Sequence, residues 1–187
     1  MKILDDFLPE HYKNALENIM LSENFAWYLN KNTVSESYKN PYGVDKTTDS
    51  MQLTHVIFND SKVNSEHYGL TSLLGHHLML KENVDTSGLI RIKANLNTIA
   101  VDYPEGHHYS THIDLPKDFS GITCIYYVND SDGDTIFFEE DGITEIERVS
   151  PKKGRLVYFD SDTPHAGCPP KEHQVRCVIN FNFIKRN

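Results

Sequence analysis

The 187-residue chain predicts a mainly β protein, an all-β sandwich or barrel supported by N-terminal helices. Three observations point there. From Gly88 onward, short apolar or alternating segments follow one another with turn residues between them. Before Gly88, two stretches repeat apolar residues at helical spacing. The length is that of one domain. We therefore expect a single domain over 1–187, with 1–87 as helical and strand support and 88–187 as the β core.

The first helix starts near Pro9, which suits a first turn flanked by the acids Asp6 and Glu10. Its stripe is Leu8, Tyr12, Ala15, Leu16 and Ile19. Residues 25–29 read as a strand. The stretch 30–50 is rich in Lys, Asn, Ser and Thr and carries turn chemistry at Pro41-Tyr42-Gly43. It is too long for a passive loop in a compact domain. It reads as a substrate-facing lid or as a disordered tract. Residues 51–58 return to strand character, and 65–80 form a second helix with Leu70, Leu73, Leu74 and His77 on one face. His76-His77 is then a partly buried helix pair and not a ligand set.

The expected core strands are 89–101, 109–114, 121–128, 135–138, 145–149, 155–159 and 175–184. Turns fall at 130–134 and at Asp141-Gly142. The first is acidic like a calcium loop, but it lacks the ordered ligand spacing and flanking helices of one. It reads as a hairpin turn. In the last strand Val175, Cys177, Ile179, Phe181 and Phe183 form an apolar face. Arg176, Asn180 and Asn182 lie on the other, as on an edge strand open to solvent or one facing a polar pocket. A buried Arg176 would need an anion, because an unpaired internal charge costs about 3–5 kcal/mol.

Composition narrows the function classes. A formal net charge of −9 without Lys/Arg runs disfavours nucleic acid as a partner. No stretch approaches the ~20 apolar residues of a membrane span. The start, Met1-Lys2-Ile3-Leu4-Asp5-Asp6, has no apolar signal core, so a cytoplasmic location is expected. Cys124, Cys168 and Cys177 are odd in number and lack C-x-x-C spacing, which fits reduced thiols. Cys124 and Cys177 sit in apolar patterns, as buried small hydrophobes do.

The chemistry concentrates at His112-Ile113-Asp114, His165 and Arg176. Side chains at i and i+2 of an extended segment share a side, so His112 and Asp114 can reach one ion while Ile113 packs inward. Two His and one carboxylate form the ligand set of a mononuclear non-haem Fe(II) site with open coordination positions. Arg176 adds a planar fork that can hold a carboxylate in bidentate fashion. An oxygenase using a 2-oxo acid fits this combination. Among ten His, a His-x-Asp match arises easily by chance, and the flanking sequence is what singles this one out.

That sequence, Tyr103-Pro104-Glu105-Gly106-His107-His108-Tyr109-Ser110-Thr111-His112-Ile113-Asp114, resembles the Y-x-x-G-x-x-Y-x-x-H-x-D signature of prolyl 4-hydroxylase-like 2-oxoglutarate/Fe(II) oxygenases. The segments 123–129, 151–160, Pro164-His165 and 176–181 follow in that family's order. The resemblance runs from about Gly88 to Ile184. It implies a double-stranded β-helix (jelly roll, cupin-like) with the N-terminal helices packed on one sheet.

The same resemblance implies His112, Asp114 and His165 as Fe(II) ligands and Arg176 as partner of the distal carboxylate of 2-oxoglutarate. Tyr127 would bond that carboxylate, Tyr103 and Asn180 would line the cosubstrate pocket, and Tyr109 would sit beside the metal-bound segment. Cofactors would be Fe(II), 2-oxoglutarate and O2, with ascorbate as an optional reductant. The implied reaction is hydroxylation of a C–H bond coupled to conversion of 2-oxoglutarate to succinate and CO2. The leading substrate is a prolyl residue in a peptide or protein. Free amino acids, small metabolites and nucleobases are alternatives, and the rival class is a non-catalytic cupin-like metal or ligand binder. A structural metal site would be closed by four protein ligands, and only three candidates stand here. The nucleic-acid demethylase branch carries a second arginine downstream of the anchor. Here only Arg186 follows, ten residues on. There are departures from the family pattern: the loop between His165 and Arg176 is long, and Gly133-Asp134 replaces the usual Gly-Gly. His107 and His108 read as structural neighbours of the motif, and His173 as solvent-exposed.

Overall fold

The computed structural model describes residues 1–32, 40–43, 51–104, 106–117 and 119–185. Most of the suspected lid, and Arg186, lie outside the described residues. The elements are β1 (Lys2–Leu4), α1 (Glu10–Met20), β2 (Tyr28–Asn30), β3 (Gln52–Asn59), β4 (Lys62–Val63), α2 (Tyr68–Glu82) and β5 (Leu89–Thr98), then β6 (Gly121–Tyr127), β7 (Thr135–Phe138), β8 (Glu145–Val149), β9 (Leu156–Asp160), β10 (His165–Gly167) and β11 (Val175–Ile184).

Two antiparallel sheets form a jelly roll, the double-stranded β-helix. The large sheet runs β1-β9-β6-β11-β5-β3-β2, with β4 hanging on β3, and the small sheet runs β10-β7-β8. Strand alternation sorts side chains between two layers. One face of the large sheet gives Ile92, Ala94, Cys124, Tyr126, Ile179, Phe181 and Phe183 to a core shared with Leu16 and Met20 of α1 and Leu74 and Leu78 of α2. Its other face meets the small sheet through Ile125, Tyr127, Val157, Phe159 and Val178 against Phe137 and Val149. The helices thus pack on one sheet, as expected.

Strands β7, β8 and β11 coincide with the segments read from sequence. Three strands escaped that reading: β1, β4 and β10 are only two or three residues long, too short for alternation to show. Strand β2 begins at Tyr28 and not at Phe25. Phe25 turns into the core instead and stacks on His67 with ring centroids 4.9 Å apart.

The stretch 109–114 is not a regular strand. Tyr109 N–H donates to Gly167 O and His112 N–H to His165 O. Three residues on one side therefore span two on the other, and the extra residue breaks the ladder. A single bridge survives, between His112 and His165.

In α2 the buried face is Thr71, Leu74, Gly75 and Leu78, and Leu73 is half exposed. The helix is apolar on several sides, so spacing alone does not select its stripe. Gly75 selects it: a Cβ there would lie 3.3 Å from Phe183 Cζ, so the helix meets β11 along that glycine. His77 packs edge-on against Phe7, with centroids 4.9 Å apart.

Candidate active site

Neighbouring strands β5 and β11 turn their polar rows to the inner face, opposite the helices. In register, Arg176 faces Asn97, Val178 faces Asn95, Asn180 faces Lys93 and Asn182 faces Arg91. Above this ladder the two sheets enclose a cavity of about 190 Å³. Its lining includes His112, Asp114 and His165 together with Arg176, Asn180 and Lys93.

Reciprocal backbone bonds fix the two histidines. His112 N–H donates to His165 O at 3.0 Å, and His165 N–H to His112 O at 2.9 Å. Their ring centroids stand 4.5 Å apart. Ile113 is 3% exposed and points into packing, as the i, i+2 argument requires. The ligand atoms of His112, Asp114 and His165 lie within 4.8 Å of one another.

Both imidazoles are set for one tautomer. His112 Nδ1 lies 3.1 Å from Ser110 O, and His165 Nδ1 lies 3.0 Å from Thr163 O. A carbonyl only accepts, so each Nδ1 carries the proton and each Nε2 keeps its lone pair for an ion. Burial lowers the His112 pKa to about 4, and the neighbouring His165 adds to that effect, so the ring is neutral at neutral pH.

Asp114 is held ionised. Burial alone would push its carboxyl up, but the charge of Arg91, the adjoining imidazoles of His165 and His112 and a hydrogen bond from Thr123 hold it well below the usual carboxylate range. Arg91 Nη2 donates to Oδ1 at 3.0 Å, while Thr123 Oγ1 and Asn182 Nδ2 donate to Oδ2 at 2.9 and 3.1 Å. Arg91 Nε also donates to Asn182 Oδ1 at 2.7 Å, closing the network. A carboxylate has about four acceptor sites, so an ion can still bind. Two lone-pair nitrogens and one fixed carboxylate fit Fe(II).

At the far end of the ladder Arg176 is 5% exposed. Its Nε donates to Gly133 O at 2.5 Å and its Nη2 to Thr135 Oγ1 at 2.7 Å. No carboxylate pairs with it among the described residues. Gly133 must be glycine here, because a Cβ would stand 2.6 Å from Cys168 O and 2.9 Å from Arg176 Cδ. The turn 130–134 holds the long loop before β11: Asp132 accepts the N–H groups of Lys171, Glu172 and His173. The His173 side chain is 47% exposed and also bonds Asp132.

The other expected residues are spread more widely. Tyr127 is wholly buried, and its hydroxyl donates to Thr135 Oγ1 at 2.7 Å, so Thr135 stands between it and the cavity. Tyr103 lines a second cavity of about 370 Å³ with Leu29, Met51, Leu53 and Tyr109, and does not line the triad chamber. Gln52 and Tyr109 border both cavities. Asn180 lines the chamber, and its Oδ1 is buried without a hydrogen-bond partner among the described residues. Asn182, expected on the pocket wall, is fully buried behind Asp114. His107 stacks on Tyr103 with centroids 4.0 Å apart, and His108 packs near Phe138.

Sequence reading missed Arg91, Lys93, Asn95 and Asn97. The signal was present: these residues alternate with Ile90, Ile92, Ala94 and Leu96, as in β11.

Comparison with known proteins agrees with this geometry. Residues 98–184, which carry all three candidate ligands and Arg176, match the family model of the 2OG-Fe(II) oxygenase superfamily. Three solved structures share the fold. A Pseudomonas putida prolyl-4-hydroxylase is 20% identical, with a TM-score of 0.56 and coverage of 100% of this chain and 92% of that one. A Trichoplax adhaerens prolyl hydroxylase, in complex with a hypoxia inducible factor oxygen degradation domain peptide fragment, is 18% identical, with a TM-score of 0.63 and coverage of 98% and 82%. An oxidoreductase of the 2OG-Fe(II) oxygenase family from Burkholderia pseudomallei is 11% identical, with a TM-score of 0.68 and coverage of 99% and 85%. Comparison with curated proteins finds no match. The match and the donor triad support a 2-oxoglutarate/Fe(II) oxygenase, an oxidoreductase whose family works with Fe(II), 2-oxoglutarate and O2. Among the described residues, no helix is long and apolar enough to cross a membrane.

Proposed function

We propose that this chain is a single-domain hydroxylase that acts on a prolyl residue of a peptide or protein, with His112, Asp114 and His165 as iron ligands and Arg176 as the 2-oxoglutarate anchor. One observation carries the reading. Three metal-type donors converge on one point, and a buried guanidinium without a carboxylate partner among the described residues lines the same chamber. When bound, Fe(II) with 2-oxoglutarate and O2 supplies the oxidising chemistry that places oxygen on a C–H bond. The protein supplies orientation and a cavity that excludes water.

Arg176 offers its fork to the distal carboxylate of the cosubstrate. Thr135 Oγ1 accepts from both Tyr127 and Arg176. With both lone pairs engaged, its own proton is left to donate into the chamber it lines. Tyr127 is thus a positioning residue that acts through Thr135. Asn182, Thr123 and Arg91 hold Asp114 and leave the remaining lone pair of Oδ1 for an ion.

The prolyl reading is supported by the family motifs, by the names of two structural neighbours, and by the adjoining cavity. Its lining of Leu29, Met51, Leu53, Leu96 and Tyr103 suits an apolar ring and the chain that carries it. The cysteines remain free thiols, which suits a cytoplasmic enzyme. The test is succinate release from 2-oxoglutarate by the Fe(II)-loaded protein, with and without a panel of proline-containing peptides. Peptide-stimulated release with a gain of one oxygen atom on proline is expected. No succinate under any condition would leave the cupin-like binder as the function.

A further inference from the structure

We propose that the substrate docks a carboxylate on Lys93, so that an acid-bearing molecule or residue is what this site selects. The inference rests on the iron and 2-oxoglutarate reading above. Three cations line the chamber: Arg91, Lys93 and Arg176. Arg91 is engaged with Asp114 and Asn182, and Arg176 with Gly133 and Thr135. Lys93 has neither an ion-pair nor a hydrogen-bond partner among the described residues. Burial, with Arg91 close by, lowers its pKa to about 8, so it is still predominantly the ammonium at neutral pH.

The amides beside it are equally unsatisfied. Asn95 is 7% exposed and Asn97 4%, and Asn95 Oδ1, Asn97 Nδ2 and Asn180 Oδ1 have no hydrogen-bond partner among the described residues. Buried polar groups in native proteins are paired, so this cluster is built for a ligand that brings N–H or O–H donors to the two amide oxygens and an acceptor to Lys93. The ligand must be anionic where it meets Lys93. Even with Asp114 and a doubly charged cosubstrate present, Fe(II), Arg91, Arg176 and Lys93 leave the chamber net positive.

The cosubstrate anchor is a different place. Lys93 pairs in register with Asn180, four residues from Arg176 along β11, or about 14 Å at strand rise. Lys93 instead lies toward the metal end: it stands two residues from Arg91 on the same face of β5, and Arg91 Nη2 reaches Asp114 Oδ1 at 3.0 Å. A carboxylate seated there holds a neighbouring carbon beside the ion.

The test uses protein loaded with Mn(II) and 2-oxoglutarate, with loading checked first by calorimetry. Two probe pairs differ only in charge: N-acetyl-L-proline against N-acetyl-L-prolinamide, and acetyl-Pro-Glu-amide against acetyl-Pro-Gln-amide. We expect the acid of at least one pair to bind at least about tenfold tighter, a difference of about 1.4 kcal/mol. Preference in the first pair identifies a main-chain carboxylate, and preference in the second an acidic neighbouring residue. Lys93→Gln should bring the pair to parity and Lys93→Arg should keep the preference, with 2-oxoglutarate affinity unchanged in both. Parity in both pairs, no binding of any probe, or a preference that survives Lys93→Gln would overturn the proposal. So would a Lys93→Gln protein that loses 2-oxoglutarate affinity, since Lys93 would then serve the cosubstrate. Failure to load Mn(II) and 2-oxoglutarate would instead overturn the reading beneath it.

Discussion

Replacing Arg176 by Met keeps most of the side-chain volume and removes the cation. In the structure Arg176 is 5% exposed and, among the described residues, its guanidinium donates to neutral oxygens, Gly133 O and Thr135 Oγ1. If the distal carboxylate of 2-oxoglutarate is its charge partner, the substitution breaks a buried, hydrogen-bonded ion pair. Such truncations cost about 2–5 kcal/mol, or roughly 30- to 4,000-fold in affinity. The effect on stability separates ligand binding from folding. Cosubstrate at a hundred times its Kd stabilises the wild type by about 2.7 kcal/mol. At about 2–4 °C per kcal/mol for a chain of this size, that raises Tm by about 5–11 °C. Arg176→Met should lose this shift while binding Mn(II) normally, because no metal ligand is touched. Differential scanning fluorimetry of the Mn(II)-loaded protein, with and without 2-oxoglutarate, reads both quantities. A variant that keeps the full shift, with 2-oxoglutarate affinity within threefold of wild type, would refute the anchor assignment.

Other outcomes follow from the same geometry. His112→Ala should abolish metal binding, read by calorimetry with Mn(II), and turnover with it. Asn182→Leu removes a donor to Asp114 and strands Arg91 Nε, so it should cost about 1–3 kcal/mol in urea unfolding and weaken metal affinity. Full metal affinity in a folded Asn182→Leu protein would count against the buttress. Thr135→Val should raise the 2-oxoglutarate KM more than Tyr127→Phe does, because Thr135 lines the chamber and Tyr127 acts through it. For pH, the pKa of His112 is depressed in the fold from 6.5 to about 4. The unfolded chain then binds more protons than the native one between those values. Metal-free stability should be undiminished above about pH 6.5 and fall as pH drops through that window, and His112→Asn should flatten the slope in urea titrations.

Much of the site was legible because its chemistry is written locally. His112 and Asp114 share a side through two-residue spacing, and the alternation of β11 separated Arg176 and Asn180 from Cys177 and Ile179 before any coordinates. The less legible parts depend on contacts far apart in sequence. Strand β10 is three residues long and owes its bridge to His112 on a distant segment. The buried face of α2 follows from the close approach of Gly75 to Phe183, which no periodicity reports. Asn182 looked like pocket lining, but Arg91 and Thr123 draw it behind the carboxylate.

Residue type and order alone gave the β-rich class, the candidate donor triad, the arginine proposed as anchor and the pattern of apolar and polar faces. Those are properties of residue type and short-range period, which survive without knowledge of neighbours. Only the tertiary structure decided that β5 lies beside β11, rung against rung. Strand partnership is a long-range choice made by burial and register, not by local preference. That partnership sets Arg91 beside Asn182, so that both hold Asp114, and places Lys93 opposite Asn180 with no ion-pair partner among the described residues.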